Sequence, residues 1–353
     1  MKNIDTVRKT KNAVRALALV FLMVLVIISQ TGCGNKEPVS KTDFCLNTTC
    51  EITLYDVSGS RGEEILNEAF KKVREYENLL SRTVKDSDVY NINHSQGKAV
   101  TVSDDTAAVL EEALYMGELS GGKFDVTIGK LSDLWNFTGE SPKVPEQEKI
   151  KEAVDDVDYR NIEIDGNQVT LKNPDAAVDL GGIAKGYIAD RIGELLEGEG
   201  VERAIINLGG NIVALGEKEE DTPWNIGVER PYSDRTQIIG SVKAEDATLV
   251  TSGIYERKFE QNGTVYHHIL DPDTGEPAQT DLESVTIKAA KGNSGFCDGL
   301  STVCLMLGKD EAKALVERLQ RENPQMELEA AFIDKDDHMV QTDGMNVKIA
   351  EEQ

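Results

Sequence analysis

The chain has 353 residues, 39% hydrophobic and 29% charged, with 63 acidic side chains against 38 basic ones and a formal charge of −25. A surface that acidic repels phosphate backbones and argues against nucleic acid as a partner. Any anionic ligand must instead meet a metal or a local positive site.

The chain opens on a basic stretch, Lys2, Arg8, Lys9, Lys11 and Arg15, followed by an unbroken apolar run from Ala16 to Ile28. That run has the length of a signal h-region and is short of the ~20 residues of a membrane span. Thr31-Gly32-Cys33 follows at once and fits a lipoprotein cleavage site, with Cys33 as the lipidated residue. A plain N-terminal anchor is the alternative, and both readings place the rest outside the cytoplasm. Loss of residues 1–32, with five basic side chains and one acidic, takes the formal charge from −25 to −29. Residues 33–44 are expected to be lipidated Cys33 and a flexible tether, and the length of 45–353 suits one large domain or two lobes.

Apolar residues at helical spacing predict a helix over Glu63–Leu80. Ser103 caps a second, with Asp104 and Asp105 in its first turn, running to Leu119 and stopping at Gly121-Gly122. Further helices are predicted over Gln147–Val154, Ile183–Leu196, Phe296–Leu307 and Asp310–Arg321. Strand candidates are Glu51–Leu54, Ile162–Ile164, Ala204–Asn207, Ile212–Leu215, Gln237–Val242 and Ser284–Ala289, with Ala330–Ile333 and His338–Gln341 as a closing pair. Strict alternation of strand and helix is lacking. The fold class is therefore α+β, a mixed or antiparallel sheet with packed helices. Cys45, Cys50, Cys297 and Cys304 match no zinc spacing and leave disulfides and buried thiols both open.

Four segments carry chemistry. Val178 to Tyr187 runs from a strand end through Gly181-Gly182 into a helix, where free amides and Lys185 favour an anion. Asp298 and Thr302 stand four apart on one helical face, suited to share a hard cation such as Mg²⁺; a helix cap and a core hydroxyl are the plainer alternative. His267-His268 precede a tight Asp271-Pro272-Asp273-Thr274-Gly275 turn, and strand alternation lets only one of the two face a given site. Lys123-Phe124-Asp125 follows a helix stop and offers a ring and a carboxylate acceptor for ribose or base edges.

In combination, Asp179-Leu-Gly-Gly-Ile-Ala-Lys-Gly186, His268-Ile-Leu-Asp-Pro-Asp-Thr-Gly275 and Asp298-Gly-Leu-Ser-Thr302 resemble the ApbE family of FAD:protein FMN transferases, from about Leu46 to past Leu307. Gly209-Gly210-Asn211 and Ser252-Gly253-x-Tyr255-x-Arg257 add to the likeness. The resemblance implies an ApbE-like, T-fold-related domain. Its activity would be Mg²⁺-dependent transfer of FMN from FAD to a threonine of an acceptor protein, with release of AMP. Asp298, Thr302 and the Gly182 carbonyl would hold the metal. Lys123, Phe124, Asp125, Asp179, Lys185 and Ile269 would contact FAD. His268 would stand near the flavin end, with His268 or Asp298 as the base. Acceptors would be membrane electron-transport subunits, reached from a lipid anchor on the outer face of the cytoplasmic membrane. A Mg²⁺-dependent FAD pyrophosphatase, a non-catalytic flavin-binding lipoprotein and a transporter's solute-binding lipoprotein are the competing readings. The chain departs from the family pattern at Leu46-Asn47, Thr83 and Val126, where Met-Gly, an aromatic residue and proline are common.

Overall fold

The computed structural model describes residues 37–233 and 237–350. The expected signal segment 1–32 and Cys33 lie outside the described residues. None of the described helices is long and apolar enough to cross a membrane.

The chain enters through β1 (Val39–Cys45), which pairs antiparallel with β2 (Thr48–Leu54) across Leu46-Asn47. Both turn residues have positive φ, 54° and 56°, as a two-residue hairpin whose twist matches its strands requires. This corrects the expected tether: residues 39–44 belong to the sheet. Their sequence is polar, but partner strand β2 supplies the ladder and Cys45 is buried against the core.

Helix α1 (Gly59–Leu80) follows, then α2 (Asp88–Asn93), the short β3 (Val100–Thr101) and α3 (Asp104–Leu119). Ser103 caps α3 as expected, its Oγ accepting from Thr106 N at 3.0 Å, and Gly121 and Gly122 leave the helix with φ of 64° and 91°. Next come α4 (Gly129–Trp135), α5 (Gln147–Val154), the hairpin of β4 (Ile162–Asp165) and β5 (Gln168–Leu171), and α6 (Ala184–Gly198). The strands β6 (Ala204–Leu208), β7 (Asn211–Leu215), β8 (Trp224–Glu229), β9 (Ile238–Ala244) and β10 (Ala247–Gly253) lead to a small hairpin, β11 (Lys258–Gln261) with β12 (Thr264–His267). The chain closes with β13 (Leu282–Ala290), α7 (Ser294–Leu307), α8 (Lys309–Glu322), β14 (Glu329–Asp334), β15 (Met339–Gln341) and β16 (Lys348–Ile349).

The main sheet has eight strands in the order β1-β2-β6-β7-β10-β13-β14-β15, antiparallel throughout. Side-chain alternation divides its residues between two cores. Ile206, Val250, Val285 and Ile287 point into the larger core with α1, α3, α6, α7 and α8. Ala247, Leu249, Ala331 and Ile333 point the other way, against Trp224, Val228 and Val242 of the three-stranded sheet β16-β9-β8. A third cluster holds Leu131, Trp135, Ile150 and Leu270, and the Trp135 indole donates to Gly275 O at 2.7 Å. The four described cysteines are buried free thiols.

Candidate functional site

The site forms where α6 and α7 meet against the sheet. The segment before α6 is an extended loop and not the expected strand end, joined to Ile128 only by an isolated bridge at Ala177. Asn93 holds it, its Nδ2 donating to Val178 O at 2.9 Å and its Oδ1 accepting from Val178 N at 2.7 Å. The chain then turns on Asp179, whose Oδ1 accepts from Gly181 N at 3.0 Å, before α6 begins.

Asp298 lies in α7 and is 2% exposed. Its Oδ2 accepts from Gly186 N at 3.0 Å, and the Lys185 ammonium lies 3.3 Å from its Oδ1. The helix start expected to await an external anion therefore already faces one within the protein. Buried carboxylates need such partners. Thr302 is one turn on, as its spacing predicts, and its hydroxyl donates to Asp298 O at 3.4 Å. Gly182 joins them from the other segment: a Cβ there would lie 3.9 Å from Thr302 Oγ1 and 3.2 Å from the Phe124 ring. A carboxylate, a hydroxyl and a backbone carbonyl are hard oxygen donors of the kind Mg²⁺ takes, so the donor set fits that ion. Lys185 holds the cationic place beside Asp298 Oδ1.

A cavity of about 480 Å³ opens over this junction. Its wall brings together Asp179, Gly182, Lys185, Asp298 and Thr302 from the two helices and their approaches. It also includes Lys123, Phe124, Asp125, His268 and Ile269, so all of the predicted binding residues share one space. Several do other work than expected. The Asp125 carboxylate is turned inward: Oδ1 accepts from Thr127 N at 2.7 Å and Thr127 Oγ1 at 2.6 Å, and Oδ2 from Tyr159 N at 2.8 Å. These three bonds fix the shape of the segment that lines the cavity. Lys123 pairs with Asp271 at 3.1 Å and Asp273 at 2.8 Å, joining its loop to the turn after His268.

Of the two histidines, His268 lines the cavity and His267 is buried; β12 ends at His267, so His268 is placed by the bend that follows and not by strand alternation. Burial, reinforced by the charges of Arg257, the neighbouring His267 and Lys185, pushes the His268 imidazole down to about 3. It is neutral at physiological pH and ready to accept a proton, though a weak base.

Sequence reasoning missed two features here. Arg82 pairs with Asp179 at 3.1 Å and Asp133 at 2.7 Å, a contact spanning most of a hundred residues with no local signal. Behind Asp298 lie two more acidic residues, Asp190, which is buried, and Glu112, which is half-buried. Asp190 caps α7, its Oδ2 accepting from Ser294 N at 2.7 Å and Gly295 N at 3.1 Å, and burial raises it to about 6. Glu112 of α3 approaches Gly295, and burial, then Asp190 and Asp298, push its carboxyl up to about 7. A folded-state value above the ordinary 4.5 gives stability that is complete below pH 4.5 and lost as pH rises through 7. Glu112→Gln, melted in EDTA, is therefore expected to match the parent at pH 4.5 and to melt a few degrees higher at pH 8. A difference that stays constant with pH would show that no proton is taken up at Glu112 on folding.

The fold and this junction define an α+β protein with a buried carboxylate, a hydroxyl and a lysine ammonium gathered in the wall of one cavity. The sequence matches the ApbE family over residues 46–326, and the chain belongs to that family. It is 34% identical over 334 residues to an FAD:protein FMN transferase of Treponema pallidum, covering 89% of this chain and 91% of the relative. A Klebsiella pneumoniae protein of the same name is 36% identical over 279 residues, with 78% and 84% covered. Among solved structures, the ApbE protein of Thermotoga maritima superposes with a TM-score of 0.77 at 32% identity, covering 87% of this chain and 97% of that one. The flavin transferase ApbE of Vibrio cholerae gives 0.75 at 28% identity, covering 87% and 96%.

Proposed function

We propose that the chain is a Mg²⁺-dependent FAD:protein FMN transferase, exported and lipid-anchored through Cys33, that acts on threonines of membrane electron-transport proteins. The observation carrying this reading is the convergence of Asp298, Thr302, Gly182 and Lys185 on one cavity wall. The names of relatives at 34% and 36% identity support it.

FAD joins FMN to AMP through a pyrophosphate. In transfer, the acceptor threonine's oxygen bonds to the FMN phosphorus, the bond to the bridging oxygen breaks, and AMP leaves. Asp298, Thr302 and the Gly182 carbonyl would hold Mg²⁺, which would supply neutralisation of charge on the phosphate oxygens. Lys185 adds a positive charge on the same wall and reconciles an anionic substrate with an acidic protein. Asp298 positions that ammonium and, through Gly186 N, the start of α6. Phe124 and Ile269 offer apolar surface to the ligand, and Arg82 fixes Asp179. The neutral His268 imidazole, in the cavity wall, accepts the threonine's proton.

The test incubates residues 34–353 with FAD, Mg²⁺ and a threonine-bearing acceptor domain, followed by intact mass measurement. The expected result is a gain of one FMN on the acceptor, abolished by EDTA. Free FMN and AMP with an unmodified acceptor would instead identify a pyrophosphatase. FAD left intact would defeat the catalytic reading.

A further inference from the structure

Four cationic side chains stand in the wall of the larger cavity: Arg82, Lys123, Lys185 and Arg257. Three are matched by carboxylates, Arg82 by Asp133 and Asp179, Lys123 by Asp271 and Asp273, and Lys185 by Asp298. The Arg257 guanidinium is half-buried and has no hydrogen bond, ion pair or ring contact among the described residues. An arginine cannot shed its proton to relieve this. In a chain of formal charge −25, a cation left without a carboxylate inside a cavity is an open place for an anion.

The position of Arg257 narrows which anion. A second cavity of about 320 Å³ adjoins the first, and the two share Asn47, Phe137, Thr138, Lys185, Glu256 and Arg257 in their walls. Arg257 therefore stands at the seam. His268 is beside it: the His268 amide donates to Arg257 O at 3.0 Å. A group-transfer site needs one opening filled by the donor and another through which the acceptor reaches the same phosphorus. The seam, with Lys185 and His268 at hand, meets that requirement.

We propose that Arg257 is a phosphate-binding residue, whose guanidinium grips the phosphoryl group passing from FAD to the acceptor at the seam of the two cavities. The proposal rests on the FAD reading above. The planar fork of donors suits two phosphate oxygens at once. Arg257 keeps its proton throughout. The threonine–phosphorus bond forms, the bond to AMP breaks, and the hydroxyl proton leaves to a base other than Arg257.

The experiment titrates FAD into the parent chain, Arg257→Lys and Arg257→Gln, following flavin fluorescence, and records AMP release and melting temperature without ligand. Arg257→Gln is expected to raise the Kd for FAD roughly 10- to 100-fold, the range of a lost charged hydrogen bond. AMP release should fall at least as far, with Arg257→Lys between the two. The ligand-free melting temperature should hold or rise, because an uncompensated half-buried cation is removed. FAD affinity and turnover equal to the parent in Arg257→Gln would overturn the proposal. So would a ligand-free destabilisation shared by both variants, which would make Arg257 a packing residue. A parent chain that binds no FAD would refute the transferase reading itself, a result separable from either.

Discussion

Asp298→Asn is expected to abolish turnover, by on the order of 10³-fold or more, while the protein still folds. The reason lies in what the two side chains share and what they do not. Asn keeps an oxygen that can accept from Gly186 N, so the amide now held at 3.0 Å stays satisfied. It loses the negative charge that faces Lys185 at 3.3 Å and the anionic donor that a hard cation requires. Several kcal/mol of charge stabilisation go with it, and each 1.36 kcal/mol is about tenfold in rate. Asp298→Ala should be as inactive and less stable, since a buried N–H left without an acceptor costs about 1–3 kcal/mol. The check is AMP release against Mg²⁺ concentration, with melting curves of both variants. Turnover in Asp298→Asn comparable to the parent, with the same Mg²⁺ dependence, would remove Asp298 from the metal site.

Gly186→Ala is expected to damage both stability and activity, and for a steric reason alone. A Cβ at position 186 would lie 2.1 Å from Ser294 O, 2.5 Å from Ser294 C and 2.8 Å from Asp298 Cβ. The first two are backbone atoms at the start of α7 and cannot swing aside. Helices α6 and α7 must separate, and overpacking of this kind costs about 1–3 kcal/mol, occasionally more. The same shift pulls Asp298 from Gly186 N and Lys185. A misplacement of about 1 Å at a reacting centre can cost ~10²-fold in rate. Gly198→Ala is the control on the same helix. A Cβ there meets nothing within 4 Å, so the substitution should be neutral or stabilising by up to about 1 kcal/mol. Equal melting temperatures for Gly186→Ala and the parent would mean that the two helices are not held in close backbone contact.

Local structure was legible in the amino acids. The helix over Gln147–Val154 was read with its observed bounds, and the start of α3 followed from Ser103 and the acids after it. Asp298 and Thr302 fall on one face because a helix returns every 3.6 residues. Such rules act over a few bonds and need no knowledge of the rest of the chain. The end of the tether shows their limit. Val39–Cys45 has a largely polar sequence, and only the partner strand Thr48–Leu54 makes it part of the sheet.

What the tertiary structure alone decided is which charges meet and which groups lose water. Arg82 with Asp179, Lys123 with Asp271 and Asp273, and Lys185 with Asp298 join residues from distant segments. Those meetings depend on the order of strands in the sheet and on the crossing of α6 over α7. Burial is likewise a property of the assembled core. It turns Glu112 into a carboxyl that titrates near 7 and keeps the His268 imidazole neutral. Tertiary structure also sets Arg257 apart from the other cations of the cavity, since among the described residues its guanidinium alone of the four meets no carboxylate, a difference that composition and spacing could not reveal.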